Sequence, residues 1–165
     1  MMLPPYPVFP ELSNDRVIMR QVSLSDMNDL LEISFYDAQP AKNIAQAMGM
    51  QKNIDRDYAH GNSIHWCIED RATGTIAGTC GYYRGFENNT GELGCVLRES
   101  FKGKGYMSDA MKLAIDFGFK HMGLETIMAI TMAHNQQAIR LFERLGFTLS
   151  AKLPQNEVKF ELKAV

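Results

Sequence analysis

The stretch Arg98–Met111 reads RESFKGKGYMSDAM. Lysine and glycine alternate through Lys102, Gly103, Lys104 and Gly105, and an apolar helical pattern begins directly after them. A helix start exposes backbone N–H groups without partners and the positive end of the helix dipole. Glycines let that backbone come close to a ligand, and the lysines add positive charge. Such a loop suits a phosphate or pyrophosphate. The same letters test two nucleotide fingerprints. A P-loop needs GxxxxGK followed by Ser or Thr, but here Gly103 is followed by Lys104, Gly105 and Tyr106. A dinucleotide loop needs GxGxxG, and Ser108 holds the third glycine position. Taken alone, the loop reads equally well as a helix entry with two solvated lysines, so the rest of the chain decides.

Upstream, SIHWCIE (63–69), TIAGTCGYYR (75–84) and ELGCVL (92–97) read as three strands of a meander, joined by the turns DRATG and GFENNTG. Arg16–Val22 reads as a first strand. In the segment after it, Ser23 or Ser25 caps a helix with Met27, Leu30, Leu31 and Ser34 on one face. Residues 37–60 read as two short helices broken at Gly49. Downstream, Met107, Met111, Ala114, Phe117 and Met122 recur at helical spacing up to Gly123. Glu125–Thr131 reads as a strand. Asn135 then stands at an N-cap, and Ala138, Leu141, Phe142 and Leu145 form one apolar face that Gly146 terminates. Phe147–Lys152 and Val158–Leu162 make a final hairpin around LPQNE. This order of elements is that of a mixed α/β sheet protein.

The 165 residues fit one domain, 1–165, opened by an extended arm over residues 1–13 that holds four of the six prolines. A net charge of −2 disfavours a general nucleic-acid surface. No run approaches the roughly 20 apolar residues of a membrane span, and the N-terminal stretch lacks the basic start and long apolar core of a signal peptide, so no membrane partner is expected. Cys67, Cys80 and Cys95 are odd in number and form no CxxC pair, which suits buried free thiols in a reducing cytoplasm. The four histidines show no ligand spacing, so no metal is assigned. Nothing in the sequence separates a monomer from a homodimer.

Two segments together carry a family resemblance. Ser100–Gly105 falls on the Q/R-x-x-G-x-G/A motif at a strand-loop-helix junction, and NQQAIRLFERLGF (135–147) falls on N-x-x-[AS]-x-x-[LF]-[YF]-x-x-x-G-F. They resemble the GNAT superfamily of N-acetyltransferases. The opening DRVIMRQVSLSDMNDLLEI and the segment GELGCVLRESFKGKGYMSDAM are similar to its ribosomal-protein-alanine acetyltransferase type. The resemblance spans residues 14–150 and implies a mixed, mostly antiparallel central sheet, splayed and flanked by helices. It implies acetyl-CoA as cosubstrate, with the pyrophosphate on the amides of Lys102, Gly103, Lys104, Gly105, Tyr106 and Met107. The pantetheine arm would run beside Cys95, Val96 and Leu97, with Asn135 and Phe142 near its sulfur end. Ser100 departs from the family's Gln or Arg, which removes one polar contact and leaves the amide cradle.

The implied reaction is direct attack of an amine on the thioester. A protonated amine must first lose a proton, and the developing oxyanion needs an N–H donor. Glu92 is the leading candidate base and matches a carboxylate common at this place in the family; Glu69 is the second. A strand amide at Cys95 or Val96 is the candidate oxyanion donor. Asn135 is a candidate for positioning the sulfur or a water. Phe142 and Ala138 stand where relatives often carry Tyr and Ser, so the acid is open, with Tyr106, Tyr82 and Tyr83 as candidates. Trp66, Tyr82, Tyr83 and Phe86 are expected on the acceptor side. The acceptor is a protein N-terminus or a small amine, and the short LPQNE turn leans toward a peptide end. The alternatives are an acyl-CoA-binding module without catalysis and a nucleotide-phosphate enzyme, which amine turnover and ATP binding respectively would distinguish.

Overall fold

Alternation along the central strands decides which side of the sheet each residue serves. In the computed structural model, which describes residues 1–165, the strands are β1 (Leu12–Ser13), β2 (Val17–Gln21), β3 (Phe35–Tyr36), β4 (Gln39–Pro40), β5 (Ile64–Asp70), β6 (Ile76–Tyr83), β7 (Thr90–Leu97), β8 (Thr126–Met132), β9 (Thr148–Leu153) and β10 (Glu157–Lys163). The helices are α1 (Met27–Leu30), α2 (Ile44–Ala59), α3 (Tyr106–Phe117) and α4 (Gln136–Arg144). Eight strands form one sheet in the order β1-β2-β5-β6-β7-β8-β10-β9, and β3 and β4 pair separately. Every neighbour in the large sheet is antiparallel except β7 and β8. The architecture is the mixed, mostly antiparallel sheet that the family resemblance implies.

The parallel pair is short. Thr90, Gly91 and Glu92 pair with Thr126, Ile127 and Met128, and there the contact ends. Beyond it β7 stays with β6 as far as Leu97, while β8 stays with β10 as far as Met132. The two halves of the sheet therefore splay, and the edge of β7 from Leu93 to Leu97 has no strand beside it on the β8 side.

The two faces are filled unequally. One carries Met19, Ile64, Trp66, Ile68, Tyr82 and Ile127, closed by Ala110, Met111, Ala114 and Phe117 of α3 and by Leu141 and Phe142 of α4. Full burial of a side chain such as Ile64 is worth about 2–3 kcal/mol. The other face has only a small cluster in which Cys67 and Ile76 meet Val22, Met27, Leu30 and Ala47. The N-terminal arm packs on the larger side: Trp66 donates its indole N–H to the Pro10 carbonyl at 2.8 Å, and the Met2 N–H reaches the Met122 carbonyl at 3.0 Å.

Residues 37–60 differ from the sequence expectation. Gly49 breaks nothing: α2 runs through it, and the preceding residues form the β3–β4 hairpin. Asn43 supplies the N-cap by accepting from the Gln46 N–H at 2.9 Å, while the Gln46 side chain accepts from the Lys42 N–H. An interior glycine costs roughly 1 kcal/mol, which this cap and the packing of Ala47 offset. The helix after Ser23 is also shorter than its pattern suggests: α1 is a single turn flanked by 3-10 turns.

Candidate active site

The glycine-lysine loop sits where β7 leaves its pairing and α3 begins. Gly103 and Gly105 have φ of +74° and +89°, a region open to glycine at no steric cost. No acceptor within the protein takes the N–H groups from Gly103 to Ser108, so six consecutive amides stand free at the start of α3, whereas the Lys102 N–H expected among them donates to the Glu99 carbonyl at 3.3 Å. A Cβ at Gly103 would meet nothing within 4 Å, so the space beside the loop is open. Lys102 pairs with Glu99 at 2.8 Å on the surface. These features suit the pyrophosphate of a CoA thioester, and the unpaired edge of β7 suits its extended pantetheine arm.

Along that edge the candidate residues divide by face. Leu97 turns into the core, Cys95 is partly buried against it, and Val96 is 43% exposed on the opposite side. Met107 packs against the core from α3, and Tyr106 donates its hydroxyl to Asp70 at 3.0 Å.

The thinly covered face of the sheet holds a cavity of about 790 Å³ between α1, α2, the β3–β4 hairpin and strands β5 to β7. Its floor follows from the pairing. His65, Gly81 and Gly94 stand in one row across three strands, with Cys67, Thr79 and Val96 in another. Tyr83 and Glu92 are cross-strand partners. The two glycines make a bed for the Tyr83 ring: a Cβ at Gly81 would lie 2.8 Å from its hydroxyl, and one at Gly94 3.1 Å from its ring. Tyr83 Oη thereby comes 2.7 Å from His65 Nδ1. Burial pushes His65 down to about 4, so the imidazole is neutral near pH 7, and burial pushes Tyr83 up.

Glu92 lines the cavity and is ion-paired with Arg84, which lines the same cavity with its side chain largely exposed. Leu30, Ile33, Met50 and Ile54 give the walls an apolar stretch, and Phe35 and Phe86 add aromatic surface. Asp37, Asp57 and Glu87 also line it. None of these three makes an ion pair, and Asp57 accepts only the Tyr36 hydroxyl, at 3.0 Å. The Ser63 hydroxyl is buried in the same wall without a hydrogen-bond partner.

Several sequence expectations are corrected by this geometry. Glu69 lies outside the cavity and is held by Arg20 at 2.7 Å. Trp66 and Tyr82 point to the opposite face, because each is one residue out of step with His65 and Tyr83. The Tyr82 hydroxyl is spent on the Ala114 carbonyl at 2.8 Å, and that of Tyr106 on Asp70. Of the aromatics expected on the acceptor side, Tyr83 and Phe86 line the cavity. Phe142 packs against Phe147 and Phe160, and Asn135 caps α4 through Ala138 while reaching Thr131. The LPQNE turn does not line this cavity. The β3–β4 hairpin had no sequence signal, and α2 was read as helical without its place in the cavity wall. The His65–Tyr83 pair had no sequence signal, because strand alternation does not say which residues of β5 and β6 stand beside each other.

No three His, Cys, Asp or Glu side chains are arranged to hold a metal ion. No helix is long and apolar enough to cross a membrane.

The sequence profile of the family described as acetyltransferase (GNAT) domain matches residues 16–148. The uncharacterized N-acetyltransferase YoaA of Bacillus subtilis is 27% identical over 156 residues, covering 90% of this chain and 88% of that protein. Among solved structures, a candidate ribosomal-protein-serine acetyltransferase from Vibrio cholerae superposes with a TM-score of 0.82 at 16% identity, covering 99% of this chain and 100% of the other. A dodecameric spermidine N-acetyltransferase from the same organism superposes with a TM-score of 0.77 at 16% identity, covering 91% and 95%. At these identities the two structures share the fold.

Proposed function

This chain belongs to the GNAT acetyltransferase family, and from that premise we propose that it moves the acetyl group of acetyl-CoA directly to a primary amine that carries a second positive charge. The observation behind the acceptor class is the set of three carboxylates, Asp37, Asp57 and Glu87, that line the cavity without a cationic partner. The reacting nitrogen must be uncharged when it attacks. Its own charge therefore cannot be what these carboxylates hold through the reaction. A second ammonium or guanidinium, separated from the first by an apolar spacer, fits both the acidic groups and the aliphatic walls at Leu30, Ile33 and Ile54.

The roles follow from placement. The free amides from Gly103 to Met107 hold the pyrophosphate, and the edge of β7 at Cys95–Leu97 orients the pantetheine arm. Glu92 takes the amine proton, directly or through one water, with Arg84 fixing the carboxylate. The N–H of Cys95 or Val96 donates to the oxygen on which charge develops. Neutral Tyr83 and His65 floor the site without adding a competing charge.

The test compares a diaminoalkane with the monoamine of equal length, and a peptide with Lys second from its N-terminus with one carrying Gly there. Three surface carboxylates give a preference of roughly tenfold in kcat/KM for the dication of each pair. Asp57→Asn combined with Glu87→Gln should erase it. Equal use of the charged and uncharged partners would sink the acceptor class and leave the acetyltransferase standing.

A further inference from the structure

We infer that Arg16 is a positioning residue for the cofactor loop, acting from behind it and without touching the ligand. This rests on the reading that the loop holds the pyrophosphate of acetyl-CoA. Arg16 immediately precedes β2, a strand remote in sequence from the loop. Its Nη2 donates to the Lys104 carbonyl at 2.7 Å, and its Nη1 to Asp109 of α3 at 2.9 Å. The guanidinium lies 4.9 Å from the centre of the Tyr106 ring. Its place is filled tightly enough that a Cβ on Gly105 would fall 2.8 Å from Nη1.

The consequence comes from peptide geometry. The Lys104 carbonyl and the Gly105 N–H belong to one planar trans unit and point in opposite directions. Capturing the carbonyl on the Arg16 side aims the Gly105 N–H the other way, where nothing in the protein accepts it. A loop with two left-handed glycines has many conformations, and one of them is selected by this contact. Two neighbouring strand ends share the work: Val17 pairs with Asp70, and Asp70 accepts the Tyr106 hydroxyl. Asp109 neutralises the guanidinium and fixes its direction, so its charge serves the clasp.

The experiment measures kcat/KM for acetyl-CoA and for S-acetylpantetheine, which lacks the pyrophosphate, in wild type, Arg16→Ala and Arg16→Lys, with melting temperatures alongside. The wild type should strongly prefer acetyl-CoA. Arg16→Ala should lose about tenfold with acetyl-CoA, the worth of one charge-assisted hydrogen bond, and nothing with acetylpantetheine. Arg16→Lys keeps the charge but not the two-pronged geometry, and should fall between them. An equal loss with both donors would show a role in general stability, and no loss with either would show no role; each overturns the inference. A wild type that uses both donors equally would instead remove the pyrophosphate from the loop, and this inference with it.

Discussion

The Tyr83 hydroxyl stands 2.7 Å from His65 Nδ1 because Gly81 and Gly94 leave the ring room to lie flat across three strands. The pair joins two residues that sequence separation and strand alternation alone would leave as unrelated members of β5 and β6.

Burial holds His65 at about 4, below its ordinary 6.5. An unfolded chain therefore binds a proton there first as pH falls, so stability is full above about 6.5 and declines toward about 4. Chemical denaturation at steps across that window should show this decline in the wild type. His65→Gln keeps a hydrogen-bond partner for Tyr83, without a titrating ring, and should flatten it. An unchanged pH profile in the variant would place the titration elsewhere.

Glu92 is the carboxylate that lines the cavity beside the opening between β7 and β8. Glu92→Gln should lower kcat by roughly a hundredfold, in the usual range for loss of a general base, with acetyl-CoA affinity unchanged. Calorimetry and steady-state kinetics on the same preparation separate the two quantities. A variant with full kcat would transfer the proton-accepting role to solvent.

Tyr82 and Gly118 bind the sheet to the end of α3. The Tyr82 hydroxyl donates to Ala114, and a Cβ on Gly118 would collide with that hydroxyl. Gly118→Ala should cost about 2 kcal/mol by overpacking. Tyr82→Phe should cost about 1 kcal/mol by losing the hydrogen bond. Combining Tyr82→Phe with Gly118→Ala should cost less than the sum, since the phenol oxygen that the methyl strikes is gone.

Arg20 grips Asp26 with two bonds of 2.9 Å and Glu69 with a third. Burial pushes the Asp26 carboxyl up, but the Arg20 and Ser23 hydrogen bonds outweigh it and hold it below its usual value. Its contribution is therefore present above the ordinary value of 3.8 and lost as pH falls through the lower folded value. Arg20→Leu leaves this carboxylate buried without its partner and should cost about 2–3 kcal/mol, less than a fully enclosed pair because Arg20 is partly exposed. Adding Asp26→Asn should recover part of that loss in urea titrations. No recovery would mean that Arg20 acts through packing alone.

Much of the fold was legible in the sequence, for local reasons. The strands of the meander alternate in a way that only a sheet accommodates, and Asn135 with Ala138, Leu141, Phe142 and Leu145 writes out a capped amphipathic helix. The stretch from 37 to 60 was not legible. Gly49 carries a breaker's signal, but it lies where nothing crowds it and where the Asn43 cap and Ala47 packing sustain the helix. Of the candidate site, the loop and β7 were local features, and they lie where the sequence pattern put them.

By itself the sequence determined the strand-loop-helix junction at Leu97–Tyr106, the two glycines at its centre and the apolar faces that make a mixed sheet inevitable. Those are properties of neighbouring residues, and short-range geometry settles them. Tertiary structure decided everything that depends on distant segments meeting. It set the parallel contact that stops at Glu92 and opens the sheet, the cavity left where the smaller core fails to cover Gly94 and Tyr83, and Arg16 drawn onto the Lys104 carbonyl. The reason is register: which face a residue shows, and which strand end stands beside it, is fixed only when the strands pair.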